Sequence, residues 1–181
     1  HVNDFNGYDV SCKGFSDGSA KAIPTGGTAP YFYSWSNSVV NDLNPGLVAG
    51  DYTVQVRDAN GCPNSSAITL TEPTVFLVTG GVNNPVSCFG LSDAEVELAA
   101  SGGVTPYEYS KDQLSWQPQA IFSSLNFGTK DFYSRDANGC LSSIQRVVPQ
   151  PDPIAISFQN IIDARCNDPV GSAQATVTGG N

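Results

Sequence analysis

Tyr52-Thr53-Val54-Gln55-Val56-Arg57-Asp58-Ala59-Asn60-Gly61-Cys62 alternates apolar and polar side chains and then turns. A period of two puts Tyr52, Val54 and Val56 on one face, as in a strand half buried against a core. Asn60-Gly61 is a pair that tolerates positive φ, so the chain reverses there. Ala67-Ile68-Thr69-Leu70-Thr71 supplies the returning strand. Outward from this hairpin lie an aromatic strand, Tyr31-Phe32-Tyr33-Ser34-Trp35, and a short strand from Gly18 to Ile23. Val75 to Val78 opens another. The 18 glycines and 12 prolines fall between these apolar runs, where turns belong. No segment combines a 3.6-residue period with helix caps. Short strands with turn signals between them predict an all-β, antiparallel sandwich, immunoglobulin-like in architecture.

The hairpin occurs twice. Arg57-Asp58-Ala59-Asn60-Gly61-Cys62 returns as Arg135-Asp136-Ala137-Asn138-Gly139-Cys140, 78 residues later. Val10-Ser11-Cys12-Lys13-Gly14-Phe15-Ser16-Asp17 returns as Val86-Ser87-Cys88-Phe89-Gly90-Leu91-Ser92-Asp93 after 76 residues, and Ala164-Arg165-Cys166-Asn167 is a looser third copy. Gly26-Gly27 becomes Gly102-Gly103 and then Gly179-Gly180, and Pro30-Tyr31 becomes Pro106-Tyr107. The unit of about 77 residues is longer than most solenoid repeats and close to a small domain. The expected organisation is repeat 1 over 1–73, repeat 2 over 74–151 and the start of a third over 152–181. Thr71-Glu72-Pro73-Thr74 and Pro149-Gln150-Pro151-Asp152-Pro153 are the joints, where proline favours extended chain. Opening on His1 and stopping in Thr178-Gly179-Gly180-Asn181, in mid-pattern, the chain reads as a piece of something longer. Any signal or anchor would lie outside it.

The five cysteines follow the repeat. Pairing within each copy predicts Cys12 with Cys62 and Cys88 with Cys140, one disulfide per repeat, and leaves Cys166 for a partner past the end. Such pairing implies an oxidising compartment. A loop of about 50 residues closed this way stabilises a thin β core by roughly 4 kcal/mol in the chain-entropy model. Zinc ligation is the alternative, but thiolate sites favour close pairs such as Cys-x-x-Cys, and His1 is the only histidine.

Charge and missing residue types exclude several functions. With 17 acidic residues against 8 basic the net charge is −9, which repels nucleic-acid phosphates and anionic lipid headgroups. No apolar run of 18 residues exists to span a bilayer as a helix. A Ser-His-Asp triad lacks an internal histidine. Glu95 and Glu97 lie two apart on one strand face, a solvated surface rather than a paired-carboxylate site. The chain is not expected to be an enzyme.

Val-Ser-Cys-x-Gly-x-Ser-Asp-Gly over Val10 to Gly18, Gly-Gly-x-x-Pro-Tyr-x-Tyr-Ser-Trp over Gly26 to Trp35, Ala49 to Cys62 and Thr71-Glu72-Pro73 together resemble the SprB repeat. Repeat 2 departs from it, with Ala94 for glycine, Lys111 for tryptophan and no Tyr-Thr-Val strand. The resemblance implies large surface proteins of Bacteroidota, built from many tandem copies and usually exported by the type IX secretion system. It implies an adhesive or filamentous role outside the cell; the best known example is a mobile adhesin of gliding motility. Neighbouring repeats, surface polysaccharide or other copies of the chain are the partners it suggests.

Two sets of residues are candidate sites. Asp58, Asn60, Asp136 and Asn138, joined by Asp17 and Asp93, offer the oxygens that calcium takes, and calcium is the one cofactor to consider. The favoured reading is that Asp-Ala-Asn-Gly is simply a hairpin turn. Tyr31, Phe32, Tyr33 and Trp35 read as core. Trp116, in the divergent stretch Lys111 to Gln119, is the better candidate for an exposed contact, with Trp35 second.

Overall fold

The computed structural model of the chain describes residues 3–163, Cys166 and residues 171–180. Among these residues there are thirteen strands and no helix: β1 (Gly18–Lys21), β2 (Phe32–Trp35), β3 (Leu43–Leu47), β4 (Gly50–Arg57), β5 (Pro63–Leu70), β6 (Leu77–Asn84), β7 (Ala94–Ser101), β8 (Glu108–Ser110), β9 (Ile121–Leu125), β10 (Gly128–Arg135), β11 (Leu141–Val148), β12 (Asp152–Ile162) and β13 (Ser172–Gly180). They form five small sheets, ordered β1-β3, β2-β4-β5, β6-β7-β9, β8-β10-β11 and β12-β13. The all-β, antiparallel expectation holds. The strand orders repeat as the sequence does: β2-β4-β5 is echoed by β8-β10-β11, and β1-β3 by β7-β9.

The chain divides into two compact units. The first comprises His1–Val78, Ala100–Pro118 and Tyr133–Ser143; the second comprises Thr79–Ala99, Gln119–Phe132 and Ile144–Asn181. In the first unit, Ala20 and Leu47 of the β1-β3 sheet pack against Trp35, Val54 and Leu70 of the β2-β4-β5 sheet. The alternation of Tyr52 to Arg57 explains this. Val54 is buried, Tyr52 and Val56 are half buried on the same side, and Thr53, Gln55 and Arg57 face water. A second small cluster joins Cys12, Phe76 and Cys140, with Tyr107 against Phe76 at a ring separation of 5.5 Å. In the second unit Phe122 and Phe132 meet at 5.2 Å. There β12 and β13 pair as a long hairpin whose Ile154, Ile156, Phe158 and Val177 are exposed.

Two local expectations change. Strand β3 runs through Leu43-Asn44-Pro45-Gly46-Leu47, where proline and glycine hide it from any alternation rule. It forms because Leu47 is buried against the opposite sheet and Asn44, also buried, exchanges two hydrogen bonds with Asn37 at 3.0 and 3.1 Å. Repeat 2, which lacks the Tyr-Thr-Val sequence, nevertheless has the strand. In β10, Phe132 is fully buried at the place of Val54. The large side chain has changed strands: the facing pair Trp35 and Val54 of repeat 1 becomes Lys111, exposed, and Phe132 in repeat 2.

The first joint is packed onto its own repeat. Pro73 is fully buried, Glu72 pairs with Lys13 and accepts from the Gly14 amide at 2.6 Å, and Thr71 donates its amide and hydroxyl to Asp9, both at 2.8 Å.

Candidate functional site

The Asp-Ala-Asn-Gly-Cys turn is built twice to nearly the same dimensions. Asp58 Oδ1 accepts the amides of Asn60 at 3.0 Å and Cys62 at 2.9 Å, and its Oδ2 accepts the Thr28 amide at 3.1 Å. Asp136 Oδ1 accepts from Asn138 and Cys140, both at 2.9 Å, and its Oδ2 from Val104 at 2.8 Å. In each, the glycine amide closes a four-residue turn onto the aspartate carbonyl, at 2.9 and 3.0 Å. The left-handed φ falls on Gly61 and Gly139 alone, at 82° and 83°, so the asparagines are not the strained positions. The amides of Cys62, Thr28 and Asn60 hold the Asp58 carboxyl below its ordinary value of 3.8.

The Val-Ser-Cys loops are also built alike. Ser11 donates its amide at 3.1 Å and its hydroxyl to Asp17, and Ser87 makes the same two bonds to Asp93. The Asp93 carboxyl is thereby held low. The Phe15 amide reaches back to the Cys12 carbonyl at 3.0 Å, and the Leu91 amide to the Cys88 carbonyl at 3.1 Å.

The disulfide does not stay within a repeat. Cys12 bonds Cys140, with Cα atoms 5.7 Å apart and a sequence separation of 128. Cys62, Cys88 and Cys166 are free and exposed. This corrects the expected Cys12–Cys62 and Cys88–Cys140 pairs. The cause is where the first segment lies. Asn138 donates its side-chain amide to the carbonyls of Phe5 at 3.2 Å and Ser11 at 2.9 Å, and its Oδ1 accepts from Asn6 at 2.5 Å. That clasp sets Cys12 on the turn of the second repeat. Nothing in the spacing distinguishes the two schemes, because a cysteine step repeated along an array fits pairing within copies and pairing between them equally.

The oxygens considered for calcium are used as acceptors for N–H and O–H groups. Asp58 and Asp136 each take three amides, Asp17 and Asp93 take serine donors, and the Asn138 oxygen takes Asn6. Asn60 donates its side-chain amide to Thr28 Oγ1 at 3.2 Å. Among the described residues no three of His, Cys, Asp and Glu gather as a metal-holding group. His1, Ala164, Arg165 and Asn167 lie outside the described residues.

Trp35 is no contact residue. It is 4% exposed, and its indole donates to the Asn41 carbonyl at 2.9 Å, which satisfies the one polar atom it buries. Trp116 is half buried. The Arg135 guanidinium lies over its ring at 4.4 Å, held there by Glu108, and the indole donates to the Gln113 carbonyl at 3.2 Å. Leu114 beside it is 87% exposed. Phe32, expected in the core, is also exposed, because it points to the outer face of β2. Glu95 and Glu97 face one side of β7, with Asn83 bridging them.

Both Val-Ser-Cys loops are thus in place, and each lies in a segment that resembles a known family. The SprB repeat family model matches residues 8–40 and 78–112. Each SprB match contains one Val-Ser-Cys loop, Cys12 or Cys88, and neither reaches the Asp-Ala-Asn-Gly-Cys turns. No curated protein matches the chain. Among solved structures it is similar to the C-terminal 282-residue fragment of intimin, in complex with the intimin-binding domain of the translocated intimin receptor, at 13% identity and a TM-score of 0.38. That likeness covers 76% of this chain and 58% of the intimin fragment. No helix among the described residues is long and apolar enough to cross a membrane.

Proposed function

We propose that this chain is a structural, non-catalytic stretch of a cell-surface adhesin, in which SprB repeats over 1–73, 74–151 and 152–181 form a stalk that resists tension. The observation that supports this reading is the Cys12–Cys140 bond, which spans a sequence separation of 128 and ties the first repeat to the second. A pull on the chain ends runs through that bond and bypasses the hairpins inside it. The principal partners of each repeat are therefore its neighbours. Surface attachment is the role of the whole protein, and gliding motility is its most specific form. In this reading the amide bonds to Asp58 and Asp136 hold the turns, and a chelator should leave the melting temperature unchanged.

Single-molecule stretching tests the stalk. The oxidised chain should extend only over its segments outside the bond. Reductant should then release about 450 Å more, the reach of 128 residues at about 3.5 Å each. Equal extension in both conditions would refute a tension-bearing staple.

A second reading has one observation in its favour, the exposed Leu114 beside Trp116. Retention of the chain on a polysaccharide-coated surface, abolished by Leu114→Ser, would make the repeats themselves adhesive. Concentration-dependent filaments from the same preparation would instead favour self-assembly.

A further inference from the structure

We propose that Cys62 and Cys88 are unfilled halves of the staple that Cys12 and Cys140 complete. Cys62 takes the Val-Ser-Cys cysteine of another repeat, and Cys88 takes the Asp-Ala-Asn-Gly-Cys cysteine of another. Disulfides then run from each repeat to the next along an array. The proposal rests on the repeat reading above.

The chain contains one complete staple, Cys12–Cys140, and it shows what each half looks like when bonded. The half around Cys140 consists of the Asp136 turn and the Asn138 amide. The half around Cys62 has the same turn with the same three amide bonds, within a few tenths of an ångström. The half around Cys12 is a loop closed by Ser11 on Asp17, with left-handed glycine at Gly14, φ 78°. The half around Cys88 is closed by Ser87 on Asp93, with Gly90 at φ 80°. Both loops are also anchored to their joints in the same way. The Gly14 amide bonds Glu72 at 2.6 Å, and the Gly90 amide bonds Gln150 at 3.2 Å. What differs is burial: Cys12 and Cys140 are 5% and 7% exposed, whereas Cys62 and Cys88 are open to solvent.

Recognition beyond the sulfurs would follow the bonded example. Asn138 uses its amide to hold two carbonyls of the incoming segment. Asn60 would exchange its single bond to Thr28 for the same pair. Each new bond forms when two thiols lose two electrons and two protons. In a glutathione buffer the oxidised glutathione accepts them and leaves as two reduced molecules.

Two peptides test this on the intact 181-residue chain. One copies Phe5 to Asp17 and carries the Cys12 loop. The other copies Gly128 to Val148 and carries the Cys140 hairpin. Each is equilibrated with the chain in glutathione buffer, and disulfides are mapped by mass spectrometry. Cys62 should take the loop peptide, and Cys88 the hairpin peptide, at least tenfold over scrambled versions. Asn60→Ala should reduce the first preference and leave the second alone. No preference over scrambled peptides, or the reverse preference, would overturn the proposal. So would a map of the chain alone showing Cys12–Cys62 and Cys88–Cys140. A Cys12–Cys140 map without peptide preference would sink the propagating staple and leave the stalk reading intact.

Discussion

The turns at Asp58 and Asp136 share six consecutive residues and the same hydrogen bonds, yet one ends in a buried disulfide and the other in an exposed thiol. Local sequence therefore sets the turn but not the bond. The aspartate gathers its amides whatever lies nearby, because an Asx turn needs only its own next few residues. The disulfide needs a segment from far along the chain. The same contrast is visible beside each turn. In repeat 2, β6 lies on β7, and a Cβ at Gly102 would come within 1.9 Å of the Val75 carbonyl. In repeat 1, nothing lies within 4 Å of a Cβ at Gly26. There, among the described residues, β1 pairs only with β3, and an open cleft of about 540 Å³ runs beside it, lined by Ile23, Tyr31, Val56, Cys62 and Ile68.

The largest test of this contrast removes one sulfur at a time. Cys140→Ser opens a loop of 128 residues, which the chain-entropy model values at about 5 kcal/mol. It also leaves the Cys12 thiol beside Phe76 in a small core. Cys62→Ser alters an exposed side chain that is in no disulfide, leaves a hydroxyl to donate to Asp58, and should change stability by less than about 0.5 kcal/mol. Denaturant unfolding of both variants under oxidising conditions measures the difference. Equal losses would mean that the bonded and open turns are energetically the same, and the contrast would fail.

Much of the fold was legible where a rule needs only neighbouring residues. The alternation at Tyr52 to Arg57 marked β4 and its buried face, and the repeated hexapeptide marked both hairpins. Strand β3 was hidden because Pro45 and Gly46 carry no strand signal, and it exists through burial of Leu47 and Asn44. Strand β10 was misjudged because the rule reads one strand at a time, whereas packing fills a volume shared by two. Phe132 is buried in β10, and Trp35 is buried in β2 of the other repeat. The cysteines were legible as a set and illegible as pairs, since the choice depends on the Asn138 clasp, a contact across more than 120 residues.

A smaller effect separates the two repeats at one core position. Ser134 of β10 stands where Val56 stands in β4, faces Tyr109 in the register, and is fully buried. Its hydroxyl is the one buried side-chain polar atom among the described residues with no hydrogen-bond partner. An unpaired buried hydroxyl costs about 1–3 kcal/mol, so Ser134→Ala should raise stability by about 1 kcal/mol once lost packing is deducted. A thermal melt reads this directly. A fall in melting temperature would show that the hydroxyl is satisfied in solution and that repeat 2 carries no such defect.

The smallest effect expected is electrostatic and tests whether the open turn is finished before any partner arrives. The Asp58 carboxyl is held below 3.8 by the amides of Cys62, Thr28 and Asn60, all from its own repeat. A depressed folded-state value means that the carboxylate's contribution is complete above the unfolded value and fades as pH falls through the folded one. Stability should therefore decline below about pH 4. Asp58→Asn should flatten part of that decline, because asparagine presents one acceptor oxygen that does not titrate. If the turn is preformed, the flattening appears in the free chain at its full size. Should Asp58→Asn leave the acid slope unchanged, the amides would not be gathered until a partner docks, and the equivalence of the two turns would be a property of the bonded state alone.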